Sequence, residues 1–110
     1  MVASTASQVR AAQNQINLFE TPLKMFYLDL NAYPTTNQGL DALWEQPSDL
    51  AMPDRWSGPY LEKAVPLDPW GKPYRYHSPG VLNPESYDLW STGPDGVHDI
   101  GNWQQLRRSG

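Results

Sequence analysis

Residues 9–30 read VRAAQNQINLFETPLKMFYLDL, and the periodicity of this stretch decides the fold. Val9, Ala12, Ile16, Phe19, Leu23, Phe26 and Leu30 recur at alternating steps of three and four. That spacing lines one face of an α-helix and leaves Arg10, Gln13, Asn17, Glu20, Lys24 and Asp29 mostly off it. The pattern predicts a helix from Ser4 to Leu30, which makes 1–30 the first segment of the chain. Its stripe is bland at the start (Ala3, Ala11, Ala12) and bulky at the end, as in a helix whose beginning protrudes and whose end packs on a domain. Pro22 interrupts the pattern. It has no N–H and its ring crowds the Leu18 carbonyl, so a kink or frayed turn is expected there.

Beyond the helix, Tyr33 precedes Pro34 and is pushed towards extended geometry, which ends the helical run. Thr35 then reads as an N-cap with Gln38 as its capping-box partner. Leu40, Leu43 and Trp44 give a second, short helix its apolar face, and Pro47 stops it. Residues 47–59 read as an irregular connection anchored by Trp56, and Tyr60–Ala64 as a short helix or extended piece. Asp68-Pro69-Trp70-Gly71 is a turn, with Pro presetting φ and Gly taking the left-handed position. Strands are predicted at Tyr74–Ser78 and Tyr87–Thr92, with a third at Asp99–Gln104 after the Gly93-Pro94-Asp95-Gly96 turn. The expected fold is α+β: a long N-terminal helix, a helix-containing connecting region over 31–67, and a small antiparallel sheet with a C-terminal loop over 68–110.

A length of 110 residues suits a single domain, 1–110. Five Trp, six Tyr and two Phe let a short chain close a core. The formal net charge of −4 and the scattered basic residues argue against nucleic acid as a partner. With no cysteine, disulfides and Cys-based metal sites are excluded. No apolar stretch approaches the roughly 20 residues that span a bilayer, and no signal peptide is visible.

Chemistry-bearing constellations are sparse. His77 and His98 lie near acidic and hydroxyl residues, but their spacing fixes no Ser-His-Asp geometry, and the expectation is a non-enzyme. Trp44, Trp70 and Trp90 can be read as a sugar-stacking platform, although rings in such contexts belong more often to a core. Asp95 and Asp99, with Thr92, Gly93 and Gly96 around them, form a glycine-bearing turn with two carboxylates. Hard cations such as calcium bind that kind of oxygen-rich loop, and metal-free Asp-Gly turns are also common.

Several motifs in order carry a resemblance. Tyr33-Pro34-Thr35-Thr36, Gln38-Gly39-Leu40 and Ala42-Leu43 come first, followed by Asp68-Pro69-Trp70-Gly71-Lys72-Pro73-Tyr74-Arg75-Tyr76 and Ser78-Pro79-Gly80. Tyr87-Asp88-Leu89-Trp90-Ser91, Pro94-Asp95-Gly96 and Asp99-Ile100-Gly101-Asn102-Trp103 complete the series. From about Val9 onward the chain resembles the major pseudopilins of type II secretion, within the type IV pilin-like superfamily. The resemblance implies a structural subunit of a helical periplasmic fibre, the pseudopilus, which helps export folded proteins across the outer membrane. It implies a prepilin that is processed and methylated, with an apolar N-terminal helix, absent here, that anchors it in the inner membrane and leaves this domain in the periplasm. The implied partners are copies of itself, minor pseudopilins and inner-membrane secretion components. It also implies a calcium ion held by Asp95, Asp99 and the Thr92 carbonyl. Two places depart from the family pattern: Pro22 stands where an ordinary helix former is usual, and only Gly96-Val97-His98 separates the two aspartates, where the family's loop is longer and glycine-rich. A type IV pilin or minor pseudopilin, and a secreted carbohydrate-binding module, stay open as alternatives.

Overall fold

The apolar stripe folds as two helices in line, α1 (Ala3–Leu18) and α2 (Glu20–Leu30), in a computed structural model that describes residues 3–96 and 99–103. Ala12, Ile16, Phe19, Leu23, Phe26 and Leu30 are buried along the stripe, and only Val9 at its start remains 37% exposed. The interruption falls at Phe19, not at Pro22. There the backbone N–H is shared between the carbonyls of Gln15 at 3.2 Å and Ile16 at 3.3 Å, the signature of a tightened turn. Pro22 is the third residue of α2 and its ring is buried. The first turn of a helix has no intrahelical acceptors to supply, so proline costs little there. The other end closes at Asn31, which adopts a left-handed φ of 64° and donates its N–H to the Tyr27 carbonyl. The helix therefore stops ahead of Tyr33 and Pro34.

The expected capping box forms, but around a turn. The Thr35 N–H donates to Gln38 Oε1 at 2.9 Å and the Gln38 N–H to Thr35 Oγ1 at 3.1 Å. Gly39 follows at a φ of 65°, which breaks the helical path, and the expected short helix is built as a single 3₁₀ turn, Leu40–Leu43. Leu40 and Leu43 are buried while Trp44 is half-buried. Trp56 is the predicted anchor: its indole N–H donates to the Ala42 carbonyl at 2.9 Å. Tyr60–Ala64 is neither helix nor strand.

Three short strands, β1 (Arg75–His77), β2 (Asp88–Ser91) and β3 (Ile100–Gly101), pair antiparallel in the order β1-β2-β3. The first two lie inside the predicted Tyr74–Ser78 and Tyr87–Thr92. The third is shorter than the predicted Asp99–Gln104, and Gln104 lies outside the described residues. At Gly101 a side chain would meet the Trp103 ring at 2.6 Å, so the indole lies directly on the strand backbone. The α1 helix packs against β2 and β3, and Leu89 and Ile100 of those strands join Phe19, Leu23 and Phe26 in one core.

Aromatic rings seal the seams between helix, connection and sheet. Phe26, Tyr60 and Trp56 form one edge-to-face series, with centroids 5.9 and 5.6 Å apart. Tyr27, Tyr33, Tyr87 and Tyr76 form another, at 4.8, 5.0 and 5.8 Å. Trp70 and Trp90, whose rings resemble core residues in sequence, are half-buried like Trp44; the buried tryptophan is Trp103.

Candidate functional site: the C-terminal loop and its aspartate anchors

The loop that carries Thr92, Asp95 and Asp99 is held at its entry by a buried carboxylate. Asp68 is 4% exposed. Its Oδ1 accepts the backbone N–H groups of Trp70 at 3.0 Å and Lys72 at 2.8 Å, which closes the turn at Gly71, where φ is 83°. Its Oδ2 accepts the Ser91 hydroxyl at 2.7 Å, and Ser91 Oγ in turn accepts the Gly93 N–H at 3.1 Å. One side chain thus ties the Asp68–Gly71 turn to the end of β2. Charge-assisted hydrogen bonds of this kind are about twice as strong as neutral ones.

From that anchor the loop turns twice through left-handed glycines, Gly93 at φ 78° and Gly96 at φ 74°. Thr92 is half-buried, and Asp95 and Asp99 are exposed. Val97 and His98, between the two aspartates, lie outside the described residues. Among the described residues no group of three or more His, Cys, Asp or Glu side chains converges. The Lys72 ammonium lies beside Gly96, 3.8 Å from where a β-carbon would stand.

A second buried carboxylate organises the turn between β1 and β2. Asp88, also 4% exposed, accepts the N–H groups of Val81 at 2.8 Å and Leu82 at 3.0 Å on Oδ2, and the backbone and side-chain N–H groups of Asn83 at 2.9 and 3.0 Å on Oδ1. Gly80 is obligatory, because a β-carbon would collide with Asp88 Oδ1 and stand 2.7 Å from the Asn83 carbonyl. Asn102 joins this turn to the last strand. Its Nδ2 donates to the Tyr87 carbonyl at 2.9 Å, and its Oδ1 accepts from Leu89 N–H and Asn83 Nδ2 at 3.1 and 3.2 Å. No spacing in the sequence singles out Asp68, Asp88 or Asn102 as anchors. Their only signal was that each sits inside a quoted motif.

The exposed His77 places Nδ1 2.8 Å from the Pro79 carbonyl, and His98 lies outside the described residues. The strongly perturbed groups are phenols of the core seams. Burial, followed by the Asp68 charge, pushes Tyr74 up to about 12. Burial and the hydrogen bond to Asp29 push Tyr60 up to about 12, and burial drives Tyr76 and Tyr87 higher.

The family model described as "Type II secretion system (T2SS), protein G" matches residues 1–105. The type II secretion system core protein G of Pseudomonas aeruginosa is 40% identical over 104 residues, spanning 88% of this chain and 72% of that protein. That of Aeromonas hydrophila is 44% identical over 103 residues, spanning 89% of this chain and 69% of its own length. The crystal structure of the major pseudopilin from the type 2 secretion system of enterohaemorrhagic Escherichia coli superposes with a TM-score of 0.78 at 37% identity, covering 94% of this chain and 93% of that one. Agreement in sequence and in fold over nearly the whole length displaces the pilin, minor-pseudopilin and sugar-binding alternatives, and the chain belongs to the type II secretion protein G family, the major pseudopilins.

Proposed function

We propose that this chain is a building subunit of the pseudopilus and acts mechanically, without catalysis. The observation that carries this reading is the family match across residues 1–105. The molecule measures 48 × 32 × 20 Å, and at the start of α1 the side chains of Ala6, Ser7, Val9, Arg10 and Ala11 are exposed. Among the described residues no helix is long and apolar enough to cross a membrane. In this reading an apolar segment ahead of α1 holds the full-length protein in the inner membrane, with the domain in the periplasm. Copies of the chain then pack helically together with minor pseudopilins and inner-membrane secretion components. The test is to overproduce the full-length protein with its secretion apparatus and examine sheared cell surfaces by electron microscopy. Fibres labelled by an antibody to this domain support the reading, and their absence counts against it.

Calcium is the proposed ligand of the C-terminal loop. The donor chemistry fits: two exposed carboxylates and the Thr92 carbonyl are hard-oxygen donors, on a backbone turned twice by left-handed glycines. Asp95 and Asp99 would hold the ion, which would supply positive charge between two like charges and fix the loop ahead of β3. A ligand that binds only the native state raises stability by RT ln(1 + [L]/Kd). The melting temperature of the wild type should therefore rise with calcium and fall in chelator, and Asp95→Ala should lose the response. A wild type indifferent to both would remove the metal and leave the fibre assignment standing.

A further inference from the structure

The turn between β1 and β2 is more tightly built than a surface connection needs to be. Val81 is 75% exposed, the most exposed large apolar side chain among the described residues, and Leu82 beside it is 54% exposed. Yet both backbone N–H groups are fixed on the buried Asp88 carboxylate, and Gly80 fits beneath it where no side chain can. A loop meant only to connect two strands is normally polar and mobile. This one is a rigid apolar knob. Adjacent apolar side chains held in water on an ordered support are the mark of a contact surface.

A recess lies on another flank of the helix. A groove of about 570 Å³ is lined by Leu18, Phe19, Pro22, Leu61, Ala64 and Pro66, with Glu62 and Lys63 also bordering it. The knob's side of the molecule is marked by Asn83 and Tyr87, which border Asn17 and Glu20. Each helical residue turns by about 100°, so Asn17 and Glu20 face away from Gln15, Leu18 and Pro22 on the groove side. The knob is therefore outside the reach of its own groove, and the two surfaces do not overlap.

We propose that the Val81–Leu82 knob of one subunit seats in the groove beneath Leu18 and Pro22 of the next. The proposal rests on the reading of the chain as a fibre subunit. Two different patches that fit each other make a heterologous contact, which propagates copy after copy instead of closing as a two-fold dimer. The groove's border carries one acid and one base, Glu62 and Lys63, so shape and apolar character set the pairing while charge leaves it neutral. The buried Pro22 acquires a role here, since its ring forms part of the groove.

These 110 residues carry no cysteine, so thiols placed in them report on the contact directly. In the full-length protein, expressed with its secretion apparatus, Leu82→Cys and Ala64→Cys are combined in one chain and the cells are mildly oxidised. A disulfide forms only where Cα atoms approach within about 7 Å. The expected result is a ladder of covalent multimers from the double variant and none from either single variant. Wild-type-like fibres without a ladder overturn the contact while leaving the fibre reading intact. Covalent dimers from Leu82→Cys alone also overturn it, because they place knob against knob. Loss of all fibres even from the wild type overturns the fibre reading itself. Leu82→Asp provides a second line: the domain should melt like the wild type, while fibre yield falls roughly tenfold or more through loss of a buried leucine at each contact. Unchanged fibre yield in Leu82→Asp overturns the proposal.

Discussion

Replacing Asp88 by alanine should destabilise the domain more than its position at the foot of a surface turn suggests. The carboxylate is 4% exposed and accepts four hydrogen bonds between 2.8 and 3.0 Å. A hydrogen bond to a charged group contributes about 1.5–3 kcal/mol. The four are not additive, because the donors sit in a part-buried turn where water can reach some of them, so the net loss should be about 3–4 kcal/mol. At about 4 °C per kcal/mol for a domain of this size, the melting temperature should fall by ~12–16 °C. Asp88→Asn keeps the shape but turns an NH₂ group towards backbone donors, and should cost about 2 kcal/mol. Leu82→Ser, at an exposed position on the same turn, should stay within ~0.5 kcal/mol of wild type. Near-ultraviolet circular dichroism during thermal melts reads all three. An Asp88→Ala protein melting within ~3 °C of wild type would refute the reasoning, because it would mean that water satisfies the turn as well as the carboxylate does.

Pro22→Ala is expected to destabilise by about 1 kcal/mol, since it removes buried ring area and frees the unfolded chain; a stabilised variant in urea melts would show that the proline strains the helix after all. Stability should hold up to about pH 10 and then fall: Tyr74 and Tyr60 titrate near 12 when folded against 10.0 for an unperturbed phenol, so the folded state keeps its protons longer, and its advantage is lost as pH rises from 10 towards 12. Melting temperatures flat across that window would contradict this, and Tyr74→Phe should soften the fall. The 110-residue domain should sediment as a monomer at micromolar concentration, because one knob-and-groove contact is small for a stable dimer; a stable oligomer would show that the globular part alone drives assembly.

The helix was legible because its stripe runs long enough for period to outweigh propensity, and six of its seven apolar positions are buried. Its break was displaced to Phe19 because proline penalties depend on where a helix starts, and that is set by packing. The Thr35–Gln38 box was visible as a motif, but Gly39 in a left-handed conformation cut short the helix it appeared to begin. Trp103 outranked Trp70 and Trp90 as a buried ring because it lies on the bare Gly101 backbone, a tertiary fit that no local pattern reveals. Asp68 and Asp88 escaped notice for the same reason. An aspartate that gathers amides from a turn two to seven residues away looks, in sequence, like any polar residue beside a strand. The knob has no local signature either, since no spacing in the run from Pro79 to Ser86 tells that Val81 and Leu82 stay exposed.

The central claim is that the chain serves as a subunit of a secretion fibre, and the most direct measurement is made in the source bacterium. The full-length gene is deleted, and folded exoproteins are quantified in the medium and in the periplasm, with and without a plasmid copy. The account predicts that exoproteins accumulate in the periplasm of the deletion strain and return to the medium on complementation. Unchanged export in the deletion strain would contradict it.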